Sequence, residues 1–198
     1  MSNNCFWNET LKLGAILGAL MSISTMLESY VVYYSAIPLV RASMIYLAEW
    51  LVVVVAYVWL MYRFTKSYSN RYFDEGAGFS FSQGFGFVIT LSLFVAIMVG
   101  VTTTLFYSVM GFDGFIDGYI ARIDELVAYM GANNIAMNSV AEDIELLRDN
   151  IRALQQPSML SNILAAINNY VLSGLIIGLT IAAILRRKPV IVERNENE

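Results

Sequence analysis

Histidine does not occur in this chain, and cysteine occurs once, at Cys5. A single thiol excludes an intrachain disulfide. With no histidine and one cysteine, the usual ligand sets of zinc, haem and iron–sulfur centres cannot be assembled, so no cofactor is expected. Charge is scarce: Asp, Glu, Lys and Arg make up 14% of 198 residues, 12 basic against 16 acidic. The basic residues are too few and too divided for a nucleic-acid surface. Nucleophile elbow, Walker loop, dinucleotide fingerprint and H-E-x-x-H are all missing, so the chain is expected not to be an enzyme.

Long apolar runs are abundant. Hydrophobic residues make up 58% of the chain, with a mean hydropathy of +0.60. The runs fall at 13–37, 42–62, 83–110 and 159–185. Each exceeds the roughly 20 helical residues that cross a hydrocarbon core about 30 Å thick. They are too long and continuous for barrel strands. The expected fold is all-α: a polytopic membrane protein with four transmembrane helices forming one domain over residues 1–198. The first run carries Glu28 and shows no clear small-x-small cleavage site before Pro38, so it is read as a lasting span rather than a signal peptide.

Charge sets an expected orientation. Arg63, Lys66 and Arg71 follow the second run, and Arg186, Arg187 and Lys188 follow the fourth. The stretch 111–158 holds three arginines against eight acids. The positive-inside rule then puts both termini and the loop between helices 2 and 3 in the cytoplasm. Residues 111–158 become an extracytoplasmic loop.

Local signals refine the elements. Pro38 stops the first helix, and the short turn to Arg41 makes helices 1 and 2 antiparallel neighbours. Ser80 and Gln83 have capping-box spacing, which starts the third helix near Ser80. In the outer loop, Ile116, Ile120, Ile123, Val127 and Met130 form one apolar stripe; Val140, Ile144, Leu147, Ile151 and Leu154 form another. Two amphipathic helices in a hairpin are expected there, the second opened by a Ser139/Glu142 box and ended by Pro157. The hairpin either folds on itself, lies on the bilayer, or docks a periplasmic partner through residues 115–154. The inner segment from Lys66 to Glu75 is read as a loop lying partly on the membrane surface. Gly14/Gly18 and Gly174/Gly178 have the G-x-x-x-G spacing that permits close helix approach. Residues 189–198 read as a disordered cytoplasmic tail.

Polar residues recur at one depth. Glu28 lies nine residues before Ile37 and Glu49 eight after Arg41, so both sit about 12–13 Å inside the outer boundary at about 1.5 Å per residue. Thr103 on helix 3 and Asn168 and Asn169 on helix 4 fall at similar depth. These five residues are the candidate site, read as a shared intramembrane polar layer. Carboxylates facing lipid are costly, so both glutamates should turn inward or toward a partner chain. No basic residue lies at their depth, so at least one is expected to carry a proton. The layer reads in three ways: bundle glue, a proton, ion or substrate site, or an interface with another membrane subunit.

Four segments carry a resemblance: FWNETLKLG at the start, RYFDEGAGFSFSQGFGF before helix 3, the long outer loop, and GLIIGLTIAAILRRKP at the end. Phe79 to Gly84 is the most specific part. On these residues the chain resembles, over roughly 6–189, the bacterial membrane proteins of domain of unknown function 4199, found mainly in Bacteroidetes. The resemblance implies a four-helix inner-membrane protein and supplies no catalytic residues. The function expected is a non-enzymatic accessory or scaffold subunit of a membrane complex. The alternative is a small oligomeric transporter or ion- or proton-handling protein using Glu28 and Glu49. The expected partners are the lipid bilayer and either further copies of the chain or a membrane or periplasmic protein.

Overall fold

The computed structural model describes residues 3–73, 78–132 and 141–189. It is all-helical apart from one short backbone bridge. Helix α1 (Asn3–Ser29) runs into a wider π-helical turn, Tyr30–Tyr34; α2 (Leu39–Tyr72), α3 (Phe81–Met110), α4 (Phe112–Ala132), α5 (Ala141–Arg152) and α6 (Met159–Leu185) follow. Four helical segments are long and apolar enough to cross a membrane: Cys5–Tyr34, Leu39–Tyr72, Phe81–Met110 and Met159–Leu185.

Helix α3 is the axis of the bundle. Half of its most apolar stretch is buried inside the protein, against 11% for α2. It packs most extensively on α6 and next on α1. Without a hydrophobic drive between helices in lipid, such packing depends on small residues that let backbones approach. A methyl group on Gly174 would lie 2.2 Å from Ser92 Oγ, and one on Gly100 would lie 2.5 Å from the Cα of Ile163. On the α1 side, methyls at Gly14 and Gly18 would press into Phe94 and Met98, at 2.7 and 2.8 Å. Both G-x-x-x-G pairs therefore seat neighbours within the same chain. Helix α2 leans on this trio and turns Val40, Met44, Leu47, Leu51, Val52 and Val55 outward, as a lipid-facing helix should.

The N-terminal end of α3 is locked by the Phe79–Gly84 segment. Ser80 caps the helix: its Oγ accepts from the Gln83 N–H at 3.2 Å, and Gln83 Oε1 accepts from the Ser80 N–H at 2.8 Å. Phe79 is fully buried and pairs with Arg187 through two backbone hydrogen bonds of 2.9 Å, tying the start of α3 to the end of α6. Gly78, at φ 69°, makes the turn that admits this bridge. Tyr68 stacks on Phe87 with ring centroids 4.1 Å apart, and Phe6, Phe73 and Phe79 meet it edge-on.

Three boundaries differ from the sequence reading. α2 continues to Tyr72 instead of giving way to a surface loop. Its buried positions past Tyr57 are Met61, Thr65, Tyr68 and Ser69, a helical stripe whose tyrosine and hydroxyl members hydropathy does not register. The α-form of helix 1 ends at Ser29, and the remainder of the span is π-helical. Helix α5 stops at Arg152, short of Pro157. Ser139 and residues 190–198, which carry an expected cap and the expected tail, lie outside the described residues.

Of the two outer stripes, Ile123 on α4 and Ile151 on α5 are buried. Arg148 of α5 pairs with Asp124 of α4 at 2.6 Å. α4 does not fold on α5 alone: it docks on the π-helical turn. Tyr33 packs on Phe115 with centroids 4.7 Å apart, and Tyr34 donates its hydroxyl proton to the Gly111 carbonyl at 2.8 Å.

Candidate functional site

Three helix faces converge on a cavity of about 390 Å³. Helix α1 contributes Met21, Ser24, Thr25 and Glu28, at steps of three, one and three, which place them on one face. Helix α2 contributes Tyr46, Glu49, Trp50, Val53 and Tyr57 at similar helical spacing; α6 contributes Tyr170 and Ser173. The cavity thus brings Glu28 and Glu49 together from two helices. No lysine or arginine lines it.

The hydrogen bonding leaves acceptors facing inward. Ser24 donates its hydroxyl proton to Glu49 Oε1 across the α1–α2 boundary. Thr25 donates to the Met21 carbonyl at 2.9 Å, and Ser173 to the Asn169 carbonyl at 2.7 Å. Glu28 receives no hydrogen bond or ion pair from any described residue. Tyr57 is only 5% exposed, and its hydroxyl neighbours that of Ser92 on α3. The ring of Tyr57 meets that of Tyr170 edge-on, with centroids 6.2 Å apart.

The other three candidate residues lie elsewhere. Thr103 is half-buried on α3 and does not line the cavity. Its neighbours make the interhelical bonds: Thr102 donates to Ser22 Oγ at 2.9 Å, and Asn162 donates to Thr104 Oγ1 at 2.9 Å. Asn168 and Asn169 are exposed on α6, and Tyr170 enters the cavity from that level. Depth places a residue along the helix axis but not around it. A shift of one residue turns a side chain by about 100° at 3.6 residues per turn. Extending the face of each glutamate by three and four residues would have found Ser24, Thr25 and Tyr46.

A second constellation closes the corner above the cavity. Arg122 of α4 is 8% exposed. It donates to three carbonyls at the end of helix 1: Nε to Val32 at 2.6 Å, Nη2 to Ser35 at 2.9 Å and Nη1 to Ile37 at 2.7 Å. Nη1 also meets Glu125 Oε1 at 3.0 Å, while Glu125 Oε2 accepts from the N–H of Leu39, the first residue of α2, at 2.6 Å. One ion pair thus satisfies the carbonyls leaving helix 1 and an amide entering helix 2, groups that a helix cannot satisfy itself. Its charges also complement both helix dipoles. Gly118 permits the approach, since a methyl there would lie 1.8 Å from the Tyr33 carbonyl oxygen. Only the position of Arg122 beside Ile123, within an apolar stripe, hinted at this role in the sequence.

Among the described residues, no three His, Cys, Asp or Glu side chains form a metal-sized group. The cavity's chemistry is that of two carboxyls, hydroxyl acceptors and aromatic walls. In the comparison with protein families, a model described as "Protein of unknown function (DUF4199)" matches residues 12–187. Neither the curated proteins nor the solved structures contain a match.

Proposed function

We propose that this chain, which belongs to the DUF4199 family of membrane proteins of unknown function, is a small multi-pass protein that handles protons or cations at Glu28 and Glu49. One observation carries the reading: both carboxyls line one cavity, between helices long and apolar enough to cross a membrane, that contains no basic side chain. Charges within a span are costly and mark ion, proton or substrate sites by default. Interhelical hydrogen bonds are also made away from the glutamates, by Ser22–Thr102 and Asn162–Thr104, and among the described residues Glu28 takes part in none.

The protein sits in a bacterial inner membrane with both termini in the cytoplasm. Arg63, Lys66, Arg71 and Arg186 to Lys188 then lie on the inner side, and α4 and α5 form an extracytoplasmic hairpin. Four spans make a thin pathway for one chain, so the working form is a dimer or larger assembly.

The test is flux by the purified protein reconstituted alone in liposomes. A proton- or cation-dependent flux is expected, falling at least about tenfold in the Glu28→Gln/Glu49→Gln variant, a difference of roughly 1.4 kcal/mol or more. Absence of flux from correctly inserted protein would leave the accessory-subunit reading in its place.

A further inference from the structure

We infer that the ligand of the Glu28/Glu49 cavity is a lipophilic organic cation, such as a protonated amine or an onium ion with an apolar body, that enters from the hydrocarbon. The inference rests on the reading of the two carboxyls as an ionisable site and adds the class of ligand.

Size is the first argument. At about 390 Å³ the cavity falls within the range of roughly 300–1,000 Å³ typical of small-molecule pockets. It is far larger than a dehydrated inorganic ion requires. The walls are the second argument. Tyr46, Trp50, Tyr57 and Tyr170 line the cavity together with the carboxyls, and Val53 and Ile177 add apolar surface. Aromatic faces attract cations within about 6 Å of the ring centroid, most strongly where water is excluded. An inorganic ion gains nothing from the valine and isoleucine surface, whereas an organic cation buries its body there.

The position of the mouth is the third argument. Trp50, Val54 and Val58 of α2 and Ser173 of α6 line the cavity yet are exposed. From Tyr46 to Val58, the lining lies about 11–29 Å along α2 from Leu39, at about 1.5 Å per residue. The 34 residues of that helix extend well beyond it on the far side. The exposed lip is therefore at mid-span, where an amphiphilic cation dissolved in the bilayer arrives. A permanent cation entering a protonated site displaces a proton, so acid weakens its binding. Around Glu28 the titratable groups are Glu49, and the phenols of Tyr33, Tyr46, Tyr107 and Tyr170 from the π-helical turn, α2, α3 and α6. The phenols keep their protons through the neutral range, so the carboxyls govern this dependence.

The experiment titrates the purified full-length protein with tetraphenylphosphonium in a Trp7→Phe/Trp59→Phe background, which leaves Trp50 as the single indole reporter. The expected result is a saturable change in Trp50 fluorescence whose Kd rises as the pH falls. In the Glu28→Gln/Glu49→Gln variant the Kd should rise roughly thirtyfold or more, the scale of losing a desolvated charge partner. Calorimetry should show weaker binding to Trp50→Ala, whose exposed position spares the fold, and no saturable binding of neutral triphenylphosphine oxide. Absence of saturable binding to the monodisperse wild-type protein overturns the inference; so does equal affinity in the double glutamine variant, or equal binding of the neutral analogue. If tetraphenylphosphonium fails while liposomes still carry glutamate-dependent flux, the ligand class alone falls. If both fail, the reading of the site falls with it.

Discussion

Arg122 shows how one side chain holds a membrane protein's corner together. Three carbonyls at the end of helix 1 and the Glu125 carboxylate converge on its guanidinium. The planar fork of arginine suits this task better than the point charge of lysine. Replacing Arg122 with Gln should destabilise the protein by about 2–4 kcal/mol, because charge-assisted bonds and carbonyl partners are lost together. Arg148→Ala, which breaks pairs with exposed Asp124 and Glu145, should cost less than about 1 kcal/mol. Thermal unfolding of both variants in the same detergent checks the contrast; equal losses would remove the special role of Arg122.

Helices were more legible in the sequence than the faces they present. The four spans follow from run length, and the Ser80/Gln83 cap from spacing alone, because both are local. The packing partners of Gly14, Gly18, Gly174 and Gly178 lie on α3, far away in the chain, so spacing signalled close approach without naming a neighbour. The carboxyl pair was legible from the cost of charge in lipid, which acts at any azimuth. Asn168 and Asn169 shared the depth but not the face, and the tyrosines of the cavity carried no signal of depth or charge. The π-helical turn Tyr30–Tyr34 was not legible either, since the α4 docking that accompanies it comes from more than 80 residues onward. Packing along α3 sets up a test at this scale. Gly100→Ala should destabilise the α3–α6 pair by about 1–3 kcal/mol, the range for overpacking, since the added methyl meets the Ile163 backbone at 2.5 Å. Gly86→Ala, with nothing within 4 Å of the new methyl, should be neutral or stabilise by up to about 1 kcal/mol. Unfolding midpoints of the two variants should therefore move apart; matched destabilisation would contradict the packing account.

At the scale of the molecule, the two ends of the bundle differ in construction. One end is closed by the Phe79–Arg187 bridge and the aromatic cluster around Tyr68. The other is closed by α4 seated on the π-helical turn through Arg122 and Glu125. Between them, α3, α1 and α6 form a packed trio, and α2 leans across α1 and α6 to complete the cavity. The corner clamp fixes the Leu39 end of α2, and Tyr68 anchors its other end in the aromatic cluster. Orientation is tested by cysteine labelling in a Cys5→Ser background. A cysteine at Ser67 should react only with reagent on the cytoplasmic side and one at Asn150 only from outside; the reverse pattern would invert the topology.

The central claim is that Glu28 and Glu49 form an ionisable pair inside the membrane. Dicyclohexylcarbodiimide reacts with protonated carboxyls and reaches them from the lipid phase, so it reads that claim directly. Treated in liposomes and mapped by peptide mass, the wild-type protein should carry an adduct on Glu28 or Glu49. Labelling should decline with rising pH, and it should vanish from that region in the Glu28→Gln/Glu49→Gln variant. An inserted, monodisperse protein that acquires no adduct on either glutamate at any pH would contradict the account.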